Sequence, residues 1–191
     1  MAEPLLTVDG LRAGYAGPVV GPLGFSVAPG EVVGLVGPNG CGKSTVMRAL
    51  TGEATRFAGT VARRDGLRVA YQSQTGLSLG TGSSEIPLQV REVLGLMGVA
   101  TADLPERLRA LFNERVDRLS GGQQQLLLVW CAIGHPAALI LLDEPTNNLD
   151  PDGEALLART LRSLAPGRAA LVISHERSFL EQVADRMVEV G

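Results

Sequence analysis

The segment that most restricts what this chain can fold into is Gly37-Pro38-Asn39-Gly40-Cys41-Gly42-Lys43-Ser44. It has the form G-x-x-x-x-G-K-[ST]. Before it, Glu31 to Val36 reads as a strand, because Val32, Val33, Leu35 and Val36 make a short apolar run. After it, Lys43 to Leu50 reads as a helix closed by Gly52. A strand, a glycine-rich turn and a helix in that order aim main-chain N–H groups and the positive end of a helix at one point. Glycine lets the backbone turn those amides inward. The pattern is a cradle for a dense anion such as a triphosphate. Lys43 would reach the outer phosphates, and the Ser44 hydroxyl could ligate Mg2+. A chance fit somewhere in such a chain is on the order of 1%, and the correct flanks lower it further. Cys41 holds a free position of the pattern and reads as a small filler, not a nucleophile.

The rest of the chain alternates strand and helix. Leu5 to Tyr15 and Val19 to Val27 look like antiparallel strands, and Gly59 to Arg63 and Leu67 to Tyr71 could form a second pair. Residues 75 to 86 hold Gly, Ser and Thr and read as a loop. Leu88, Val93, Leu94 and Met97 keep helical spacing. So do Leu104, Leu108, Leu111 and Phe112, with Asp103 as cap and Pro105 in the first turn. Leu126 to Leu142 is nearly long enough to cross a bilayer, but Gly134-His135-Pro136 splits it into a buried helix and a buried strand. Further on come a helix over Pro151 to Leu164, a strand over Leu171 to Ser174, a helix over Arg177 to Ala184 and a strand over Met187 to Val190. Such alternation predicts an α/β fold whose mostly parallel sheet is covered on both faces.

Composition supports one globular domain. The 191 residues are 45% apolar and 19% charged, which argues against disorder. A net charge of −3 with no Lys/Arg run argues against a nucleic-acid partner. Cys41 and Cys131 make no disulfide framework, so a reducing, intracellular setting fits best. The N-terminus carries Glu3 and lacks the pattern of a signal peptide.

Two carboxylates, Asp143 and Glu144, end the apolar run Leu139 to Leu142. Asp143 would hold Mg2+, and Glu144, on the other side of the strand by alternation, would orient or deprotonate an attacking water. Alone, an acidic strand end at solvent would be the better reading. Its position after the glycine-rich loop favours the functional one.

Leu119-Ser120-Gly121-Gly122-Gln123 has the form of a capping box at a helix start, and two glycines there make a second anion site. Together with Gly37 to Thr45 and Leu139 to Glu144, it resembles the nucleotide-binding domain of ATP-binding-cassette (ABC) ATPases, in order and spacing along nearly the whole chain. The resemblance implies a P-loop NTPase core, an N-terminal antiparallel β-subdomain (approximately 1–30 and 53–72), core segments 31–52 and 126–191, and a small α-helical insert over 76–125. It implies ATP and Mg2+ as ligands. Gly37, Asn39, Gly40, Cys41, Gly42, Lys43, Ser44 and Thr45 would bind nucleotide, and Ser120 and Gly122 would act on the ATP held at Lys43 of a partner chain. Tyr15 matches the aromatic that stacks on adenine. Gln74 resembles the Q-loop glutamine, touching Mg2+ or the water, with Gln72 as a rival. Asp150 resembles the loop that crosses the dimer interface, although it could simply cap the helix at Pro151. His175 resembles the switch histidine that contacts the γ-phosphate, whereas His135 reads as a turn residue. One departure stands out: the family often has an arginine after Gln123-Gln124-Gln125, and here Leu126 follows.

The resemblance implies an ATPase subunit of a transporter, working as a head-to-tail homodimer or paired cassette with a transmembrane permease. It would sit in the cytoplasm, peripheral to the inner face of the cell membrane. Ile86 to Val93 faintly resembles the insert of metal-ion import cassettes. A second reading is a translation-associated ATPase of the ABC-F type, which Pro145 to Asp150 and Ser174 to Leu180 resemble. The acidic charge and lack of a basic arm weigh against it. A third, a non-hydrolysing switch, conflicts with the presence of Lys43, Asp143, Glu144 and His175. A DNA-repair cassette lacks room for its coiled coil between Gln74 and Ser120.

Overall fold

In a computed structural model, residues 3–73, 88–101 and 104–191 are described. Two sheets share the chain. Strands β1 (Leu6–Gly14), β2 (Pro18–Val27) and β4 (Thr55–Arg63) form an antiparallel sheet in the order β2-β1-β4. Strands β5 (Val69–Gln72), β6 (Leu139–Asp143), β7 (Ala169–Ile173), β3 (Val32–Val36) and β8 (Arg186–Glu189) form a second sheet in that spatial order, parallel throughout. The helices are α1 (Lys43–Thr51), α2 (Val90–Leu96), α3 (Glu106–Arg109), α4 (Gly121–Gly134), α5 (Pro151–Arg162) and α6 (Arg177–Val183).

Every residue of β6 and β7 is buried, as the unbroken apolar runs require of strands covered on both faces. The period of two then divides their side chains. Leu139, Leu141, Leu171, Ile173, Val33 and Leu35 join one core with α1 and the antiparallel sheet. Ile140, Leu142, Ala170, Val172 and Val32 join the other, with α2, α4, α5 and α6. Each fully buried Leu or Ile contributes roughly 1.5–3 kcal/mol relative to exposure, so a one-residue register slip would exchange whole rows between two differently shaped cores.

Helix ends follow local chemistry. Ser120 caps α4: its hydroxyl accepts from the Gln123 N–H while the Gln123 side chain accepts from the Ser120 N–H. Asp150 caps α5 through the Gly153 N–H at 2.8 Å, with Pro151 in the first turn. Gly52, in the left-handed conformation at φ 88°, ends α1.

Two expectations need correction. Gly59 to Arg63 and Leu67 to Tyr71 do not pair with each other. β4 pairs with β1, and β5 leaves through the turn at Asp65-Gly66 to lie parallel to β6. Partner choice follows burial: β4 is an exposed edge strand, while Ala70 and Gln72 of β5 are buried. The apolar spacing over Leu104 to Phe112 gives one short turn of helix, α3, preceded by Pro105 as its N-cap residue. Asp103 lies outside the described residues. Among those residues no helix is long and apolar enough to cross a membrane.

Candidate functional site

The carboxyl ends of β3, β6 and β7 deliver the site. The glycine-rich loop follows β3 and bends into α1 at Gly42, whose φ of 100° is strained for any L side chain. A Cβ there would also stand 2.8 Å from the Val20 Cβ. Val19, Asn39, Gly40, Gly42, Lys43, Ser44, Thr45, Glu144, Asn147, Ile173 and His175 enclose a cleft of about 490 Å³. Lys43 Nζ donates to the carbonyls of Gly37 (2.8 Å) and Pro38 (2.9 Å), which holds the ammonium over the loop. Cys41 is half-buried against the core shared with α1, as a filler would be.

Asp143 closes β6 with 1% exposure. Its Oδ1 accepts from Ser44 Oγ at 3.1 Å and its Oδ2 from Tyr71 Oη at 3.4 Å. Burial holds its carboxyl above the usual range, and the neighbouring Glu144 charge adds to this, while the Ser44 and Tyr71 hydrogen bonds and Arg48 oppose it. Burial likewise raises the Tyr71 phenol, with Asp143 adding to the shift. A carboxylate desolvated in this way, one hydroxyl away from Ser44, fits a cation that would neutralise it. Among the described residues no cluster of three or more His, Cys, Asp or Glu could hold a metal ion.

Glu144 diverges from Asp143 for a different reason than strand alternation. It lies beyond β6 with φ 53°, a left-handed conformation that costs a non-glycine residue about 1–3 kcal/mol. Its N–H donates to the Ile173 carbonyl at 2.9 Å. Its Oε2 lies 2.7 Å from His175 Nδ1 and accepts from the His175 N–H at 3.0 Å. The Glu144 side chain keeps 12% of its exposure, and the His175 ring 54%. The structure thus brings together Lys43, Ser44, Asp143, Glu144 and His175.

Other expected residues lie elsewhere. Ser120, Gly122, Gln123, Asn148, Asp150 and Arg107 line a separate cleft of about 360 Å³ that shares no residue with the first. Gly122 is needed there because a Cβ would stand 2.6 Å from the Asn148 carbonyl oxygen. Asp150 is bound at both oxygens by Arg107, at 2.7 and 2.5 Å. That guanidinium, with the Gly153 N–H, holds the exposed Asp150 carboxyl down at about 2. Tyr15 is 50% exposed and does not line the phosphate cleft, and its hydroxyl accepts from Arg48 at 2.8 Å. Gln74 lies outside the described residues. Gln72 is buried and donates to the Ser73 and Asp143 carbonyls. Leu126, on α4 at 5% exposure, packs into the core, so an apolar residue suits the place where the family often has arginine.

Sequence reasoning missed Tyr71, Arg107 and Asn147. Tyr71 could have been found once β5 was set beside β6, since Tyr71 pairs with Leu141, two residues before Asp143. Arg107 carries no local signal, because its partner Asp150 is 43 residues away.

Residues 20–147 match the family model described as ABC transporter. A relative from Jannaschia sp. (strain CCS1), "Zinc import ATP-binding protein ZnuC", is 35% identical over 96% of this chain and 78% of its own. "Energy-dependent translational throttle protein EttA" of Escherichia coli (strain K12) is 32% identical over 99% of this chain but 35% of its own. A solved structure, "Structure of ATP binding subunit of ABC transporter", superposes with a TM-score of 0.81 at 26% identity, covering 97% of this chain and 85% of that one.

Proposed function

The chain belongs to the ABC transporter family as an ATP-binding, ATP-hydrolysing subunit, and from that premise we propose that it works as one half of a head-to-tail, two-site dimer beneath a membrane-embedded permease that imports a divalent metal ion, zinc. The zinc assignment is supported by the relative from Jannaschia sp., aligned over 96% of this chain. One observation carries the dimer. The cleft holding Lys43 and the cleft holding Ser120 and Gly122 are disjoint in a single chain. A second copy, turned head to tail, would bring one against the other. Such a subunit would sit at the inner face of the membrane, held there by the permease.

The chemistry follows from the residues gathered at the rim. The loop amides and Lys43 bind the β- and γ-phosphates of ATP. Ser44 and Asp143 would hold Mg2+, which when bound neutralises charge on the phosphates. Glu144 accepts a proton from water as the water oxygen bonds to the γ-phosphorus. The bond from that phosphorus to the bridging oxygen breaks, and ADP carries the electron pair away. His175 holds the Glu144 carboxylate in place through two hydrogen bonds. Catalysis is thus positioning and charge neutralisation. ATP binding favours the closed pair and loss of the γ-phosphate reopens it. Tyr15 stacks on adenine, and Gln74 carries the nucleotide state toward the helical insert.

The test is Glu144→Gln. This chain should bind ATP, turn over poorly and elute from gel filtration as an ATP-dependent dimer. A Glu144→Gln chain that stays monomeric with ATP would refute the two-chain site. A translation-linked role is favoured by the 32% identity to EttA and by the ABC-F resemblance of Pro145 to Asp150 and Ser174 to Leu180. Recovery of the tagged chain with ribosomes rather than membranes would select that role.

A further inference from the structure

A residue that grips the main chain of Glu144 has no role in the chemistry described so far. Glu144 sits in a left-handed conformation that an ordinary side chain keeps only when its surroundings over-determine it. Its N–H is held by Ile173 and its carboxylate by His175. On the carbonyl side the partner is Gln125. Its Nε2 donates to the Glu144 carbonyl at 3.3 Å and the Pro145 carbonyl at 3.1 Å. Two carbonyls can be served only by the N–H end of an amide, which fixes the orientation of the group. The preceding carbonyl, that of Asp143, is met at 3.3 Å by the amide of Gln72 on β5. Three successive carbonyls are therefore gripped by two glutamine amides arriving from a helix and a strand.

We infer that Gln125 is a positioning residue for ATP hydrolysis, holding the Glu144 main chain in its left-handed form so that the carboxylate faces the attacking water. The inference rests on the reading of Glu144 as the base. It adds a mechanical link. Gln125 lies on α4, the helix that Ser120 caps. The same helix therefore carries the Ser120 end, where the partner's nucleotide would bind, and the support of the Glu144 main chain. The sequence gives this glutamine no distinction from its neighbours Gln123 and Gln124. Those two make other bonds: Gln123 closes the capping box, and Gln124 donates to the Val116 and Leu119 carbonyls.

The experiment compares Gln125→Met and Gln125→Glu with the wild-type chain in steady-state ATPase assays, ATP-analogue binding and thermal unfolding. Both variants keep the length of the side chain and lose the N–H donor. Turnover should fall at least tenfold, toward the roughly 100-fold loss that an ångström of misplacement brings. KM and nucleotide affinity should stay near wild type, and the melting temperature should fall by no more than the several degrees that two lost hydrogen bonds cost, leaving the chain folded at the assay temperature. The two variants should separate with pH. As pH falls toward 5, the introduced carboxyl of Gln125→Glu regains an O–H donor, so its deficit relative to wild type should shrink while that of Gln125→Met does not. Wild-type turnover in both variants would overturn the inference. So would losses that track nucleotide affinity or unfolding, or identical pH profiles in the two. Glu144→Gln run alongside separates the failures: normal turnover there would remove the base itself, whatever Gln125 does.

Discussion

The two glycines of Leu119-Ser120-Gly121-Gly122-Gln123 look equivalent in the sequence and are unequal in the structure. A Cβ on Gly121 would meet nothing within 4 Å, while one on Gly122 would stand 2.6 Å from the Asn148 carbonyl oxygen. Both substitutions to alanine change helix propensity in the same direction, by up to about 1 kcal/mol. Their difference therefore isolates the clash. Forcing a methyl group into such a contact costs roughly 1–3 kcal/mol through backbone displacement. For a domain of this size 1 kcal/mol shifts the melting temperature by about 2–4 °C, so Gly122→Ala should melt on the order of 5 °C below Gly121→Ala. The displaced segment is Asn148 to Asp150, at the cleft where a partner's nucleotide would be completed. Gly122→Ala should accordingly keep ATP affinity, because Lys43 and its loop lie in the other cleft, and lose most turnover. Scanning calorimetry, analogue binding and an ATPase assay measure all three. Equal melting temperatures for the two variants would refute the steric reasoning, and wild-type turnover in Gly122→Ala would refute the place given to that cleft.

Lys43→Ala should abolish nucleotide binding measured by calorimetry, since it removes the one side-chain ammonium lining the phosphate cleft. Asp143→Asn should stop hydrolysis yet raise thermal stability at pH 7 without nucleotide. A carboxyl whose folded pKa is raised stabilises the fold when protonated, and that contribution is lost as pH rises through the folded value. The advantage of Asp143→Asn should thus vanish as pH falls toward about 4, the ordinary carboxylate range. Cys131, 3% exposed with its thiol pushed up by burial to about 12, should resist a disulfide reagent at pH 8 until the chain unfolds; rapid labelling of the native chain at Cys131 would contradict the burial of α4.

Most of the sheet was legible because its strands are bounded apolar runs with a motif at each end. Gly37 to Ser44 marks where β3 stops, and Asp143 marks where β6 stops. What escaped was pairing between segments of equal local character. Nothing in Gly59 to Arg63 or Leu67 to Tyr71 says that one joins an antiparallel sheet and the other a parallel one. That difference arises from what lies above each strand. The site divided in the same way. Lys43, Ser44, Asp143 and His175 announced themselves by motif and position. Gln125, Tyr71 and Arg107 act through contacts 19, 72 and 43 residues distant, and such reach leaves no local trace. The separation of Asp143 from Glu144 was expected for the wrong reason, since a left-handed backbone and not strand alternation turns the second carboxylate toward His175.

A parallel sheet gives the molecule a working end and a quiet end. The chain departs from β3, β6 and β7 at the rim where phosphate, water and carboxylates are to meet, and enters β6 and β7 at the opposite rim, one five-residue strand or about 17 Å away. There Arg168 stitches the two incoming turns together, donating to the carbonyls of His135 and Ala137 at 2.9 Å each. A fluorophore attached at that far rim should therefore leave turnover unchanged.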